Sequence, residues 1–261
     1  MAKIHTSIGK AIRSSWLATL DLLYPPRCLT CLACLDSKQI LCDTCAEAID
    51  VEQESRFCPH CAAPTNDART ADGLCPRCRG RKSNITGTVC AGCYTGVLGR
   101  MLRAYKYDGQ ERYESLIVSK ITGAVQGAPW TGRLEAVVGV PAHWSRRMVR
   151  TLHAADRLAD RVARRLDLPK ATVLRRIRGG PKQVGLTYRA RLANVRNAFA
   201  VKSGVALDGP RLLLIDDVTT TSATLEECAR TLVRAGAAEV YAAVFLAVDW
   251  DPRPREVLGW V

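Results

Sequence analysis

Leu212 to Thr224 reads Leu-Leu-Leu-Ile-Asp-Asp-Val-Thr-Thr-Thr-Ser-Ala-Thr. An apolar run of strand length stops at two adjacent carboxylates and passes through a hydroxyl-rich turn into a helix. Carboxylates at the C-terminal end of a parallel strand stand at the crevice where α/β sheets bind ligands. Asp216 and Asp217 are suited there to accept hydrogen bonds from the 2′ and 3′ hydroxyls of a ribose. The turn from Thr219 to Thr224 offers hydroxyls and backbone N–H groups at a helix N-terminus, the arrangement that cradles phosphate. Leu225, Ala229 and Leu232 recur at helical spacing and give the following helix a buried face. Cys228, near that face, reads as a small core residue.

Working outward, apolar runs of strand length alternate with helical segments. The pattern predicts strands at Glu135–Val140, Ala171–Ile177, Leu212–Ile215 and Glu239–Val248. Helices are predicted at Leu98–Tyr107, Tyr113–Val125, Ala154–Leu166 and Ser222–Ala235. Strands alternating with helices imply an α/β domain with a parallel sheet and crossover connections. The 212–224 segment resembles the 5-phosphoribosyl-1-diphosphate signature of type I phosphoribosyltransferases, two acidic residues followed by V-x-T-T-G-x-T. Carried over residue by residue, that signature covers Asp216, Asp217, Val218, Thr219, Thr220, Thr221, Ser222, Ala223 and Thr224. This chain has Ser222 where the signature has glycine, and serine lacks glycine's freedom at positive φ.

The front of the chain is of another kind. Of twelve cysteines, eleven lie between residues 28 and 93. Cys28-x2-Cys31 precedes Cys42-x2-Cys45, and Cys58-x2-Cys61 precedes Cys75-x2-Cys78. Each CxxC turn points two sulfurs into one hemisphere, and two such turns complete a tetrahedron around zinc at about 2.3 Å. Four thiolates leave no position for a catalytic water, so both sites are expected to be structural and required for folding. Cys34 has no partner at ligand spacing and reads as a spare thiol. His60, inside a CxxC turn, reads as turned outward. Cys90 and Cys93 also spell CxxC, but they fall in a predicted strand, where residues three apart face opposite sides.

Ile8, Ile12, Trp16 and Leu20 recur every four residues and predict an amphipathic helix that ends at Tyr24-Pro25-Pro26. The expected organisation is that helix over 1–26, a double zinc-ribbon module over 27–82, and the α/β domain over 83–261. The 28.5 kDa chain is 48% hydrophobic and 24% charged, which excludes disorder. No run of about 18 apolar residues occurs, which excludes a spanning helix. A cytoplasmic location is expected.

The formal charge is +13, and its position matters more than its size. Residues 146–196 hold thirteen Arg and two Lys against three Asp, a local balance of +12. Such a block fits a polyanion such as diphosphate or nucleic acid. For Arg161, Arg164 and Arg165 a solvated helix face fits equally well.

The whole chain resembles the ComF family of phosphoribosyltransferase-like proteins. The resemblance rests on Leu22-Leu-Tyr-Pro-Pro-Arg-Cys28, Tyr94-Thr-Gly with Leu102 and Lys106-Tyr107, and Val140-Pro141-Ala-His-Trp ahead of Arg146, Arg147 and Arg150. Arg178, Gln183, Leu186, Arg191, Asn194 and Ala198-Phe199 continue it. One departure stands out: Arg150-Thr-Leu-His-Ala154 replaces the family's R-G-F-N-Q, with His153 at the Asn position. The resemblance implies a glycosyltransferase that binds phosphoribosyl diphosphate with Mg²⁺ carried by the ligand. Lys106, Arg146, Arg147 and Arg150 would hold the diphosphate, while Asp216 and Asp217 would act on the ribose as the catalytic pair. As an alternative, it implies a non-catalytic role in DNA uptake during natural competence, with single-stranded DNA and competence proteins as partners. A phosphoribosyl-diphosphate sensor is a third expectation. The Arg178, Gln183, Arg191 and Asn194 group stays open between acceptor binding and bracing a loop.

Overall fold

The computed structural model describes residues 27–35, 39–53, 56–65, 73–141, 154–178 and 194–248. The predicted helix over 1–26 lies outside them. So do Trp144, Arg146, Arg147, Arg150, His153, Gln183, Leu186, Tyr188 and Arg191.

The chain forms two compact units, residues 1–51 and 52–261. The first contains the Cys28, Cys31, Cys42 and Cys45 set and most of helix α1 (Asp43–Gln53). The second contains the other cysteine set and the α/β domain. Its elements are β1 (Gly87–Cys93), α2 (Gly96–Tyr107), α3 (Glu114–Gln126), β2 (Ala136–Gly139), α4 (Ala154–Arg165), β3 (Leu174–Arg176), β4 (Phe199–Val201), β5 (Arg211–Thr219), α5 (Ala223–Arg234) and β6 (Glu239–Ala247).

The expected parallel sheet is present, in the order β1-β6-β5-β2 with all three pairings parallel. Helices cover both faces. Helix α3 lies on β1 and β6, and α4 on β2 and β5. On the opposite face Leu225, Cys228, Ala229 and Leu232 of α5 pack with Val138, Leu212, Leu214, Val240, Ala242 and Val244. A strand buried on both faces is apolar at every position, which is why Leu212 to Ile215 shows no polar alternation. Full burial of each leucine on α5 is worth about 1.5–3 kcal/mol. Cys228 is a core residue, as its spacing predicts.

Gly139 ends β2 where α4 crosses closely: a Cβ there would stand 3.0 Å from the Asp156 Cα and 3.2 Å from the Ala159 Cβ. The close approach brings the start of α4 to the C-terminal edge of the sheet.

The expected strand at Ala171–Ile177 departs from the parallel sheet. The chain touches the β2 edge at one bridge, Val137 with Lys170. It then turns away, and Leu174–Arg176 pairs antiparallel with β4 in a separate two-stranded sheet. Arg175 and Arg176 are adjacent, so a sheet covered on both faces would bury one of them; the small sheet leaves Arg175 exposed. Helix α1 is also an element that the cysteine-rich composition hides.

Candidate functional site

Both cysteine sets gather into nests. In each set four sulfurs lie within 4.8 Å of one another. Cys31 and Cys42 Sγ are 3.6 Å apart, as are Cys61 and Cys75 Sγ. Zinc at about 2.3 Å from each sulfur requires edges of about 3.8 Å, so the donor sets fit the ion. No other group among the described residues can hold a metal in this way. That leaves out Cys34, His60, Cys90 and Cys93, as their positions predict. Burial pushes the Cys90 thiol up to about 12, so it is inert at neutral pH.

The two nests repeat one backbone device thirty residues apart. Leu32 N–H donates to Cys28 O at 2.9 Å and Cys28 N–H to Ala33 O at 2.8 Å; Ala62 N–H donates to Cys58 O at 2.9 Å and Cys58 N–H to Ala63 O at 2.9 Å. Leu32 and Ala62 both adopt the left-handed conformation, at φ 64° and 56°. Cys34 occupies the place of Pro64, on the return strand of its knuckle. Cys58 also accepts a hydrogen bond from the Cys75 N–H at 3.4 Å, which favours the thiolate that zinc needs.

The carboxylates emerge where β2 ends and β5 runs on beside β6 alone. Val140 N–H donates to Ile215 O, the last contact of the β2 edge with β5. Asp216 and Asp217 therefore stand just past the end of β2. Asp216 pairs in register with Val244 of β6, and Val218 and Thr219 with Leu246 and Ala247. Lys106, in the last turn of α2, meets Asp217 at 2.8 Å. Sequence reasoning assigned Lys106 and Asp217 to one site from segments over a hundred residues apart, and the fold brings them together. Burial alone would push Lys106 down, but the Asp217 carboxylate outweighs it and the ammonium is held above its ordinary range. Asp216 is pushed up to about 8, first by burial and then by the neighbouring Asp217 charge. Lys106 and Arg176 offset this only in part, so Asp216 keeps its proton near neutrality.

Thr220, Thr221 and Ser222 form the turn, and Ala223 and Thr224 begin α5. Ser222 has φ 56° and ψ 9°, the left-handed conformation that the signature's glycine supplies without strain. For serine this costs about 1–2 kcal/mol. Its hydroxyl has a use in return: Ser222 Oγ donates to the carbonyl of Cys61, a zinc ligand. Inside the turn, Ser222 N–H reaches Thr219 Oγ1 at 3.2 Å and Ala223 N–H reaches Thr221 Oγ1 at 3.4 Å. Both bonds are long, so a phosphate oxygen can replace them at small cost.

The second knuckle is joined to this domain at further points. Thr88 of β1 donates its N–H to Pro59 O and its hydroxyl to His60 O. Glu226 of α5 accepts from Ser83 Oγ at 2.8 Å and from Asn84 N and Nδ2 at 2.8 and 2.6 Å. Ala62 and Phe57 pack into the α/β core. A cavity of about 190 Å³ opens between them, lined among others by His60, Arg77, Arg81, Lys82, Thr221 and Ser222. It lies on the knuckle side of the turn, and neither Asp216 nor Asp217 lines it. Sequence reasoning missed Ser83, Asn84 and Glu226, because an acid in a first helical turn carries no signal beyond dipole complementarity.

Part of the basic block is neutralised within the fold. Arg157 bonds Glu111 and the buried Glu114, and Arg161 bonds Glu114 at 2.9 Å. Glu114 also accepts from the Tyr105 hydroxyl at 2.9 Å. Arg164 pairs with Asp160 one turn away, and Lys170 with Asp156. Arg165 is exposed. Arg161 therefore ties α4 to α3, while Arg164 and Arg165 form the solvated face.

A double zinc ribbon domain family matches residues 19–79. The chain is similar to competence protein F of Haemophilus influenzae, with 28% identity over 82% of this chain and 93% of that protein. It is also similar to DNA utilization protein YhgH of Salmonella typhimurium, with 29% identity over 77% of this chain and 87% of that protein. Among solved structures it is similar to glutamine phosphoribosylpyrophosphate amidotransferase from B. subtilis, with 18% identity and a TM-score of 0.36. That likeness spans 54% of this chain and 30% of the amidotransferase. No helix of the described residues is long and apolar enough to cross a membrane.

Proposed function

We propose that this chain, which is similar to competence protein F and the YhgH proteins, is a ComF-type protein that binds 5-phosphoribosyl-1-diphosphate where β5 leaves the edge of β2. The observation that supports this most is the pairing of Lys106 with Asp217, beside Asp216 and ahead of a hydroxyl-lined turn that opens α5. Asp216 and Asp217 take the ribose hydroxyls. Val218 to Thr224 holds the 5′-phosphate with the amides and hydroxyls of the turn. Lys106 leaves Asp217 for the incoming diphosphate, joined by Arg146, Arg147 and Arg150. Mg²⁺ comes with the diphosphate, because Asp216 and Asp217 are taken up by the ribose hydroxyls.

Such a site suits transfer of phosphoribosyl to an acceptor. As the C1–O bond to diphosphate breaks, charge grows on the leaving oxygens and on the ring. Cations on one side and the Asp217 carboxylate on the other stabilise both. The acceptor pocket is formed by other segments, so binding stands apart from turnover. The test is thermal: phosphoribosyl diphosphate with Mg²⁺ raises the melting temperature of the zinc-loaded chain. At a hundredfold excess over Kd the stabilisation is about 2.7 kcal/mol. Asp216→Asn with Asp217→Asn abolishes it, and a wild type that does not shift sinks the reading.

The names of the relatives favour a second reading, in which the chain handles single-stranded DNA during uptake, on the cytoplasmic side and with competence proteins. The +12 block of residues 146–196 supplies the charge. Single strands should then be retained at low salt and released steeply as salt rises. Retention that ignores salt, or no retention at all, removes this reading.

A further inference from the structure

We propose that Ser222 is a positioning residue that couples the second zinc site to the phosphate turn, so that metal and ligand each strengthen the hold of the other. The proposal rests on the sugar-phosphate reading of that turn and names its regulation. Four observations carry it.

Ser222 is the residue where the turn enters the left-handed region, at φ 56°. Its position therefore decides how the amides that follow are aimed. Its hydroxyl is spent on the carbonyl of Cys61, and Cys61 is one of the four sulfur donors of the second nest. The residue after Cys61 is Ala62, fully buried in the α/β core and itself left-handed. The knuckle is thus held from behind by the core and from the side by Thr88, which bonds Pro59 and His60. Glu226, one helical turn after Ser222, fixes the segment that follows Cys78 through Ser83 and Asn84.

The physical consequence follows from geometry. Zinc fixes the direction of the Cys61 carbonyl, because the ligand sulfur and that carbonyl belong to one residue of a closed turn. The carbonyl fixes Ser222, and Ser222 fixes the entry to α5. Loss of the ion lets the knuckle open, the bond is lost, and the turn relaxes away from the arrangement that meets phosphate. A ligand seated on the turn acts in reverse and holds Ser222, hence Cys61, in place. Coupling of this kind is reciprocal by thermodynamic necessity. Competition for the zinc by a stronger chelator would then weaken the hold on the sugar phosphate. Both Cys61 and Ser222 belong to one compact unit, and the first nest to the other.

The measurement is zinc release from the full zinc-loaded chain into a colorimetric chelator, with and without phosphoribosyl diphosphate and Mg²⁺. A Cys42→Ser chain, which lacks the first site, assigns the two phases. Binding of phosphoribosyl diphosphate is measured in parallel by calorimetry. Ser222→Ala keeps the backbone strain and removes the hydroxyl; Ser222→Gly removes both. In the wild type the ligand should slow release from the second site about fivefold, the worth of one hydrogen bond. Both variants should release that zinc faster without ligand and bind the ligand about fivefold more weakly. If strain and not the tether governs the turn, Ser222→Gly will bind as well as or better than the wild type, and the proposal falls. Wild-type release rates in both variants also overturn it. A wild type that binds no ligand, with variants that still release zinc faster, leaves the tether standing and sinks the sugar-phosphate reading instead.

Discussion

The two zinc knuckles share ligand spacing, hydrogen bonds and a left-handed residue after the second cysteine, yet that residue is Leu32 in one and Ala62 in the other. Leu32 is 62% exposed and Ala62 is wholly buried. The metal chemistry is the same; the surroundings are not. In the first knuckle a large apolar side chain points away from any core. In the second a methyl group fits the packing of β5, β6 and α5. Ligand spacing builds a metal site, and the residues between the ligands decide whether it stands alone or becomes part of a neighbouring domain.

The largest effect should come from emptying each site in turn. Cys75→Ser removes metal binding worth on the order of 10 kcal/mol from the unit that contains the sheet. The α/β melting transition should be lost or moved down by tens of degrees. Cys42→Ser should leave that transition unchanged while halving the zinc content. Equal damage from both substitutions, read by circular dichroism with metal analysis, would break the comparison.

Exchanging the marker residues is a milder form of the same test. Ala62→Leu forces three extra carbons into a packed core at a left-handed position and should cost about 3 kcal/mol. Leu32→Ala removes an exposed side chain and should change stability by about 0.5 kcal/mol or less. Denaturant melts would show a shifted midpoint for the first and almost none for the second.

Much of this arrangement was legible in the sequence, for specific reasons. Cys28, Cys31, Cys42, Cys45, Cys58, Cys61, Cys75 and Cys78 announce their nests because CxxC geometry is local. Asp216 and Asp217 announce the open edge of the sheet, where β2 has stopped, although β5 itself runs on to Thr219. Lys106 was found through resemblance, since its contact with Asp217 depends on how distant elements pack. Ser222 stood out as a missing glycine, and the partner of its hydroxyl could not be read because Cys61 lies 161 residues away. The short strand β4 left no periodicity to find, and Ala171–Ile177 misled because an apolar start conceals the arginines that turn the chain away.

A separate effect concerns pH. Asp216 holds its proton up to about pH 8 in the folded chain, far above a solvated carboxyl. Its contribution to stability is therefore complete below about pH 4 and is lost as pH rises through 8. Asp216→Asn should flatten the decline of melting temperature across that window, while Cys42→Ser should leave the slope as it is. A wild-type slope in Asp216→Asn would contradict the assigned cause.

Hydrogen exchange of backbone amides tests the central claim most directly. With phosphoribosyl diphosphate and Mg²⁺ present, protection should rise together in residues 219–224 and 58–62 and stay unchanged in residues 28–35. Protection that is absent from 219–224, or that spreads equally to 28–35, would contradict an account in which the second knuckle and the phosphate turn act as one site.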